Sequence, residues 1–261
     1  VYAMGGQQNH GGDKADYEDL STVESLQYAP HRANSWTSEP SMSCIRIGLA
    51  AATLNGRVYA LGGFNGVGVV KTCESFRPGD ASWRQEPDMV QPRHGFGAAV
   101  CQGYLWAYGG YNWADCLGCG EVLDVGQEKW VPAPPMLEPR HWHSLVAVQE
   151  TGRLYALGGW ATHVVETWSE EKKANQSALQ CRDLVLTHVE SIDPREGKWV
   201  TEAPMRTPRM YHASTSYGPY IYALGGCSRS GCATDSVERL DVRVGRWVDC
   251  APLQLNRTYH S

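Results

Sequence analysis

The stretch Arg57-Val58-Tyr59-Ala60-Leu61-Gly62-Gly63 (RVYALGG) decides the fold, because the chain repeats it. A short apolar run ending in Gly-Gly also stands at 1–6 (VYAMGG), 104–110 (YLWAYGG), 153–159 (RLYALGG) and 220–226 (YIYALGG). After each pair come a glutamate (Glu24, Glu74, Glu121, Glu190 or Glu238) and then a tryptophan (Trp36, Trp83, Trp130, Trp199 or Trp247). Six residues past the tryptophan is Met42, Met89, Met136, Met205 or Leu253, and ten past it is Arg46, Arg93, Arg140, Arg209 or Arg257. The tryptophan-to-arginine interval is constant, so it marks a fixed structural element. The Gly-Gly-to-glutamate interval varies, so it holds a loop.

Each unit reads as four short strands. A small apolar strand such as HGFGAAVC (94–101) leads through a tight glycine turn to the strand that ends in Gly-Gly. The third strand carries the glutamate, and a turn such as Asp193-Pro194-Arg195-Glu196-Gly197 leads to the tryptophan strand. A four-stranded unit of about 47 residues cannot bury both faces alone and must stack against its neighbours. The expectation is therefore all-β: a β-propeller of four-stranded antiparallel blades, one domain over 1–261. Its units run approximately 1–46, 47–93, 94–140, 141–209 and 210–257, followed by the start of the next.

Gly-Gly, glutamate and tryptophan at these spacings, followed by Met-x-x-x-Arg, resemble the Kelch repeat over essentially the whole chain. The resemblance implies a six-bladed domain with one blade incomplete here, the alternative being a ring of five blades that lacks a short end segment, and it is most similar to the Kelch domains of BTB–Kelch proteins. It further implies a substrate-recognition role in a cullin-type ubiquitin-ligase adaptor, with a BTB domain on the N-terminal side. Actin binding or cross-linking is the alternative among Kelch proteins.

Bulk properties narrow the partners. A net charge of −5 with acids and bases interspersed argues against nucleic acid or an anionic membrane. No apolar run reaches the roughly 18 residues that a membrane helix needs, and the N-terminus lacks a signal-peptide pattern. Nine cysteines, odd in number and scattered through apolar segments and loops, fit a reducing compartment, so a cytoplasmic location is expected. The sequons Asn175-Gln176-Ser177 and Asn256-Arg257-Thr258 keep secretion as the alternative.

Strand polarity places function on one end of the propeller. The arginine turns and the loops after Gly-Gly share a face, while the tight turns lie opposite. All the length variation falls on the arginine face, notably in insertions 7–22 and 160–188, and rigid scaffolds carry function on such loops. The first insertion reads as a solvated loop. The second holds Trp160, Val164, Val165, Trp168 and Leu184 and is expected to pack on the rim or on a partner. Partner-binding candidates are Arg46, Arg93, Arg140, Arg209 and Arg257 with Phe64, Asn65, Tyr111, Trp113, His141, Trp142, Trp160 and Tyr211. The resemblance adds that arginines in the Met-x-x-x-Arg position line the mouth of some Kelch domains and bind acidic peptides. The expected partner is thus a protein presenting an acidic or hydroxyl-rich segment. The residues alone leave a second role for the arginines: ion pairs with the repeated glutamates, which pose for Arg140 the choice between Glu121 and a partner.

Catalysis and cofactors are not expected, and a metal-dependent enzyme is the remote alternative. His143, His212 and His260 each follow the repeat arginine by three residues, but rotation from blade to blade sets them at the spacing of adjacent inner strands or more, which disfavours convergence on one metal. Cys116-x-x-Cys119 and Cys227-x4-Cys232 lie in units separated by another, and no phosphate loop or nucleophile elbow is present.

Overall fold

The computed structural model describes residues 1–9, 17–26, 35–167, 178–228 and 232–258. Of the side chains within strands, those of 8, 9, 17, 163–167 and 178–183 lie outside the described set. The strands form five antiparallel blades. The first contains β1 (Tyr2–Met4), β4 (Val23–Leu26) and β5 (Trp36–Glu39), with a hairpin of β2 (Gln7–Asn9) and β3 (Tyr17–Asp19) between its first two strands. Blade two is β6 (Ala50–Leu54), β7 (Arg57–Leu61), β8 (Cys73–Phe76) and β9 (Arg84–Glu86). Blade three is β10 (Gly97–Cys101), β11 (Tyr104–Tyr108), β12 (Gly120–Asp124) and β13 (Lys129–Ala133). Blade four is β14 (Ser144–Val148), β15 (Arg153–Leu157), β18 (Val189–Asp193) and β19 (Lys198–Glu202), with the hairpin β16 (Trp160–Thr167) and β17 (Ala178–Val185) inserted. Blade five is β20 (Ala213–Tyr217), β21 (Tyr220–Leu224), β22 (Val237–Asp241) and β23 (Arg246–Asp249).

Successive blades stack through their innermost strands, β6 on β10, β10 on β14 and β14 on β20. The core is accordingly a series of layers between blades, each with its own tryptophan. Trp130, Trp199 and Trp247 are buried, each in a separate cluster. Their indole N–H groups reach back to the blade before, to the carbonyl oxygens of Pro87, Pro134 and Ala203 at 3.0, 3.0 and 2.8 Å, and Trp83 does the same to Pro40 at 2.8 Å. The repeated tryptophan is therefore a polar clasp as well as apolar cover.

The Gly-Gly pair ends the second strand where the next blade begins. The N–H of the second glycine donates to the carbonyl of the following repeat arginine in all five units: Gly6 to Arg46, Gly63 to Arg93, Gly110 to Arg140, Gly159 to Arg209 and Gly226 to Arg257. Gly109 shows why no side chain fits: its φ is +68°, and a Cβ there would lie 2.6 Å from the Arg140 carbonyl oxygen and from His143 Cε1.

The arginine turns and the loops after Gly-Gly lie together, as strand polarity requires. Bridges between Ile47 and Phe64, His94 and Tyr111, His141 and Trp160, and Met210 and Cys227 tie each arginine turn to the loop after Gly-Gly, at one end of the blades. The described parts of both insertions, however, are paired strands and not the loops expected. Gln7–Asn9 pairs with Tyr17–Asp19, and Trp160–Thr167 pairs with Ala178–Val185 over eight positions. Each is a hairpin growing from a Gly-Gly end. Val164, Val165 and Trp168, which carried the apolar reading of the second insertion, have side chains outside the described residues.

Candidate functional site

The repeat arginines come first, and they correct the expectation placed on them. Arg46, Arg93, Arg140 and Arg209 are all 0% exposed, so they present no surface to a partner. Each guanidinium turns into the blade it introduces. Arg93 Nη1 donates to the carbonyls of Gly109 and Cys119 at 2.8 and 3.0 Å, and its Nε and Nη2 donate to Glu121 Oε1 at 3.3 and 2.6 Å. Arg46 treats Gly62, Thr72 and Glu74 in the same way, Arg140 does so with Gly158, His188 and Glu190, and Arg209 with Gly225, Ser236 and Glu238. The glutamate then accepts backbone N–H groups of the preceding turn, as Glu121 does from Val90 and Gln91. Arg140 thus points at Glu190, and neither at Glu121 nor at a partner. The physical reason is the carbonyl of the first glycine in each pair, which a five-donor fork satisfies from inside the fold while adding a second bond to a facing carbonyl that already accepts that glycine's N–H. Arg257 is exposed, and its backbone makes the same contacts as its four counterparts.

Asn65 is also accounted for by structure. Its side-chain oxygen accepts from the N–H groups of Val67 and Gly68 at 3.1 and 2.9 Å, shaping the loop that Phe64 and Val69 close. Asn112 does the same for Ala114 and Asp115 at 3.0 and 2.7 Å, under the Tyr111–Cys116 bridge. The two loops are one design, and a difference between them matters. The left-handed position is Gly66 in the first, at φ +87°, and Trp113 in the second, at φ +76°.

The same substitution occurs nearer the axis. The residue two past each buried arginine is left-handed in four blades: Gly48 (φ 58°), Gly95 (60°), Trp142 (54°) and Tyr211 (54°). Their backbones form a chain around the mouth, with N–H of Gly95, Trp142 and Tyr211 donating to the carbonyls of Gly48, Gly95 and Trp142 at 2.8, 2.6 and 3.1 Å. The Trp142 indole lies across both glycines, since a Cβ on Gly48 or Gly95 would sit 2.7 or 2.8 Å from it.

These side chains meet in one continuous surface. Trp142 contacts Tyr211 at 4.8 Å between ring centroids and His94 at 5.4 Å; His94 contacts Trp113 at 5.9 Å and Tyr111 at 5.7 Å. Phe64 meets Trp113 edge-on at 5.7 Å, while His141 joins Tyr111 and stacks on Trp160, both at 5.7 Å. Trp113 is the most open of them, 60% exposed, and the Tyr111 hydroxyl donates to its carbonyl at 2.9 Å. All seven ring-bearing candidates are therefore brought together. His94 and the exposed Asp115 were missed, although His94 stands one residue after Arg93 as His141 stands after Arg140.

Reactive side chains on this end are occupied otherwise. His143 fills the slot beneath Gly109 that Phe96 fills beneath Gly62 and Leu49 beneath Gly5. Burial holds its pKa well below the ordinary imidazole value, with the Arg140 guanidinium adding to the shift, so it is neutral. His212 shares Nε2 with Ser144 Oγ at 2.9 Å, and His260 lies outside the described residues. Cys116 Sγ lies 3.5 Å from His141 Nδ1, and burial pushes its pKa up to about 11, which keeps it a thiol. Cys119 Sγ instead accepts from Arg93 Nη2 at 3.4 Å. Among the described residues, no three His, Cys, Asp or Glu side chains are grouped for a metal, and no helix is long and apolar enough to cross a membrane.

Five blades around a backbone-bonded mouth define a β-propeller built from one repeated unit. Residues 45–90, 92–137 and 208–254 match the family described as Kelch motif, more than half of the chain, and the protein belongs to that family. The matched stretches are the second, third and fifth units, while the first and fourth carry the inserted hairpins that interrupt the spacing. No curated protein matches the chain. Among solved structures it is similar to "Structure of YjhT", with a TM-score of 0.73 at 15% identity, covering 98% of this chain and 85% of that one. At that identity the likeness concerns the fold.

Proposed function

We propose that this Kelch domain is a protein-interaction module whose aromatic mouth captures a segment of a partner protein. It works by binding and not by catalysis. The observation that carries this reading is the placement of Trp113, Trp142 and Tyr211 at left-handed backbone positions. Such a conformation costs a residue with a Cβ about 1–2 kcal/mol, and Gly66, Gly48 and Gly95 do the same backbone job without that cost. The backbone conformation does not ask for large aromatics there. A partner does, because rigid aromatics that lose little entropy on contact dominate binding energy at protein interfaces.

The finer reading follows the repeat: the domain serves as the substrate-recognition module of a cullin-type ubiquitin-ligase adaptor in the cytoplasm. Its support is the resemblance to BTB–Kelch proteins. Affinity capture from cell extract with the full-length protein tests both levels. Partners identified by mass spectrometry should be retained by Tyr217→Ala, an exposed control at the opposite end, and lost from Trp113→Gly. Cullin in the eluate supports the adaptor role, whereas co-sedimentation with actin filaments replaces it. If Trp113→Gly keeps every partner, the mouth is not the site.

A further inference from the structure

The charge on this face singles out one kind of guest, an inference that rests on the mouth being the binding site. Among the described residues, most of the cations that would attract an acidic segment are paired, with Arg257 the one repeat arginine left exposed. Four arginines are buried against Glu74, Glu121, Glu190 and Glu238. Lys71, in the Phe64 loop, lies 3.7 Å from Asp88, and Arg206 bonds Asp249 at 2.7 Å. The imidazole between the two tryptophans adds no charge either, since burial lowers the His94 pKa. The acidic-peptide expectation therefore loses four of the five arginines on which it was built.

What stands open around Trp113 has the opposite preference. Asp115, two residues from Trp113 in the same Asn112-capped loop, is exposed, and its carboxylate has no ion-pair partner among the described residues. The faces of Trp113 and Trp142 carry the negative side of the indole quadrupole, which attracts a cation within about 6 Å of the ring. Both rings are fixed in place, Trp113 against Phe64, Tyr111 and His94, and Trp142 against His94, Tyr211 and the two axial glycines.

We propose that the mouth selects a basic side chain, an arginine or lysine of the partner segment, by stacking it on Trp113 beside Trp142 with Asp115 as counter-charge. Arginine is the better fit of the two, because its planar, weakly hydrated guanidinium stacks on indole where an ammonium only approaches it.

The test titrates the purified domain with fluorescein-labelled nonapeptides carrying arginines, glutamates or prolines in one Gly-Ser frame and follows anisotropy. The arginine peptide should bind best. Asp115→Asn should weaken it about two- to five-fold and flatten its salt dependence without changing the proline peptide. Trp113→Gly should abolish the preference. Glutamate or proline peptides that bind as well as arginine, still through Trp113, overturn the charge selection and leave the mouth standing. Binding of none, or binding indifferent to Trp113, overturns the mouth itself. Asp115 is at the surface, so Asp115→Asn reads charge without touching the core.

Discussion

Arg93 and Trp113 belong to the same blade and the same end of it, and they are held for opposite reasons. Arg93 recurs in every unit and lies wholly inside, where its guanidinium binds two carbonyls and a glutamate. Trp113 occurs in one unit, stands 60% exposed and occupies a backbone position that its sister loop gives to glycine. A feature that every blade repeats serves the blade. A feature that one blade adds, against its own backbone preference, serves something outside. The comparison predicts that substitutions at repeated positions damage stability, whereas substitutions at the added ones damage binding.

The largest effect should come from Arg93→Ala. It strands Glu121, 2% exposed, with only the N–H groups of Val90 and Gln91, takes the guanidinium donor from the Gly109 carbonyl, and leaves the Cys119 carbonyl with the Gly109 N–H alone. Removing one partner of a buried pair costs about 3–5 kcal/mol. Urea unfolding of the variant should show that loss, and an effect below about 1 kcal/mol would mean that the ties do not hold the blade together.

Acid should act next, through His143. The unfolded chain takes a proton at this imidazole near pH 6.5, whereas the folded chain resists it far lower. Below that pH the unfolded state binds more protons, so stability is complete above about pH 6.5 and falls as the pH drops, by about 1.4 kcal/mol per unit for this group. His143→Phe, copying Phe96 of the neighbouring blade, should flatten the profile measured by urea unfolding between pH 7 and 5. A profile equally steep in the variant assigns the acid sensitivity to other groups, such as His94 and His188, whose pKa burial also lowers.

The polar half of the tryptophan clasp is worth less. Trp199→Phe keeps the ring against Tyr108 and deletes the N–H bond to Pro134, for a loss of about 1 kcal/mol by the same measurement. Were the loss instead several kcal/mol, the clasp would rank with the arginine ties.

The contrast between repeated and added residues was partly legible in the sequence. Periodicity exposed the blades, the end that carries the variable loops, and the aromatics unique to one unit, because these follow from spacing and composition alone. The aim of the arginines was not legible. Arg140 pairs with the glutamate of the next unit because the chain has already entered the next blade when it reaches that arginine, and strand order shows this only once the Gly-Gly carbonyls have positions. Both hairpin insertions were hidden as well, since their pairing is set by the blade end from which they grow. Nor does any residue pattern reveal that Trp113, Trp142 and Tyr211 are left-handed. Gly48, Gly95 and Gly66 were the available signal, because aligning the units sets an aromatic against a glycine at those positions.

The smallest change in stability should come from Trp113→Gly, which makes it the sharpest test of the comparison. Glycine removes a left-handed cost of about 1–2 kcal/mol and introduces about 0.5–1 kcal/mol of unfolded-state entropy. The variant also gives up edge contacts with Phe64 and Tyr111 that a ring 60% open to solvent makes only in part. The terms nearly cancel, so the midpoint in urea should stay within about 1 kcal/mol of the parent while partner capture disappears. Trp130→Gly at a repeated tryptophan, 5% exposed, should fail to fold stably, with losses beyond the 3–5 kcal/mol typical of emptying a buried aromatic site. If Trp113→Gly proves as damaging as Trp130→Gly, then Trp113 is held for the blade after all, and the left-handed aromatics are scaffold.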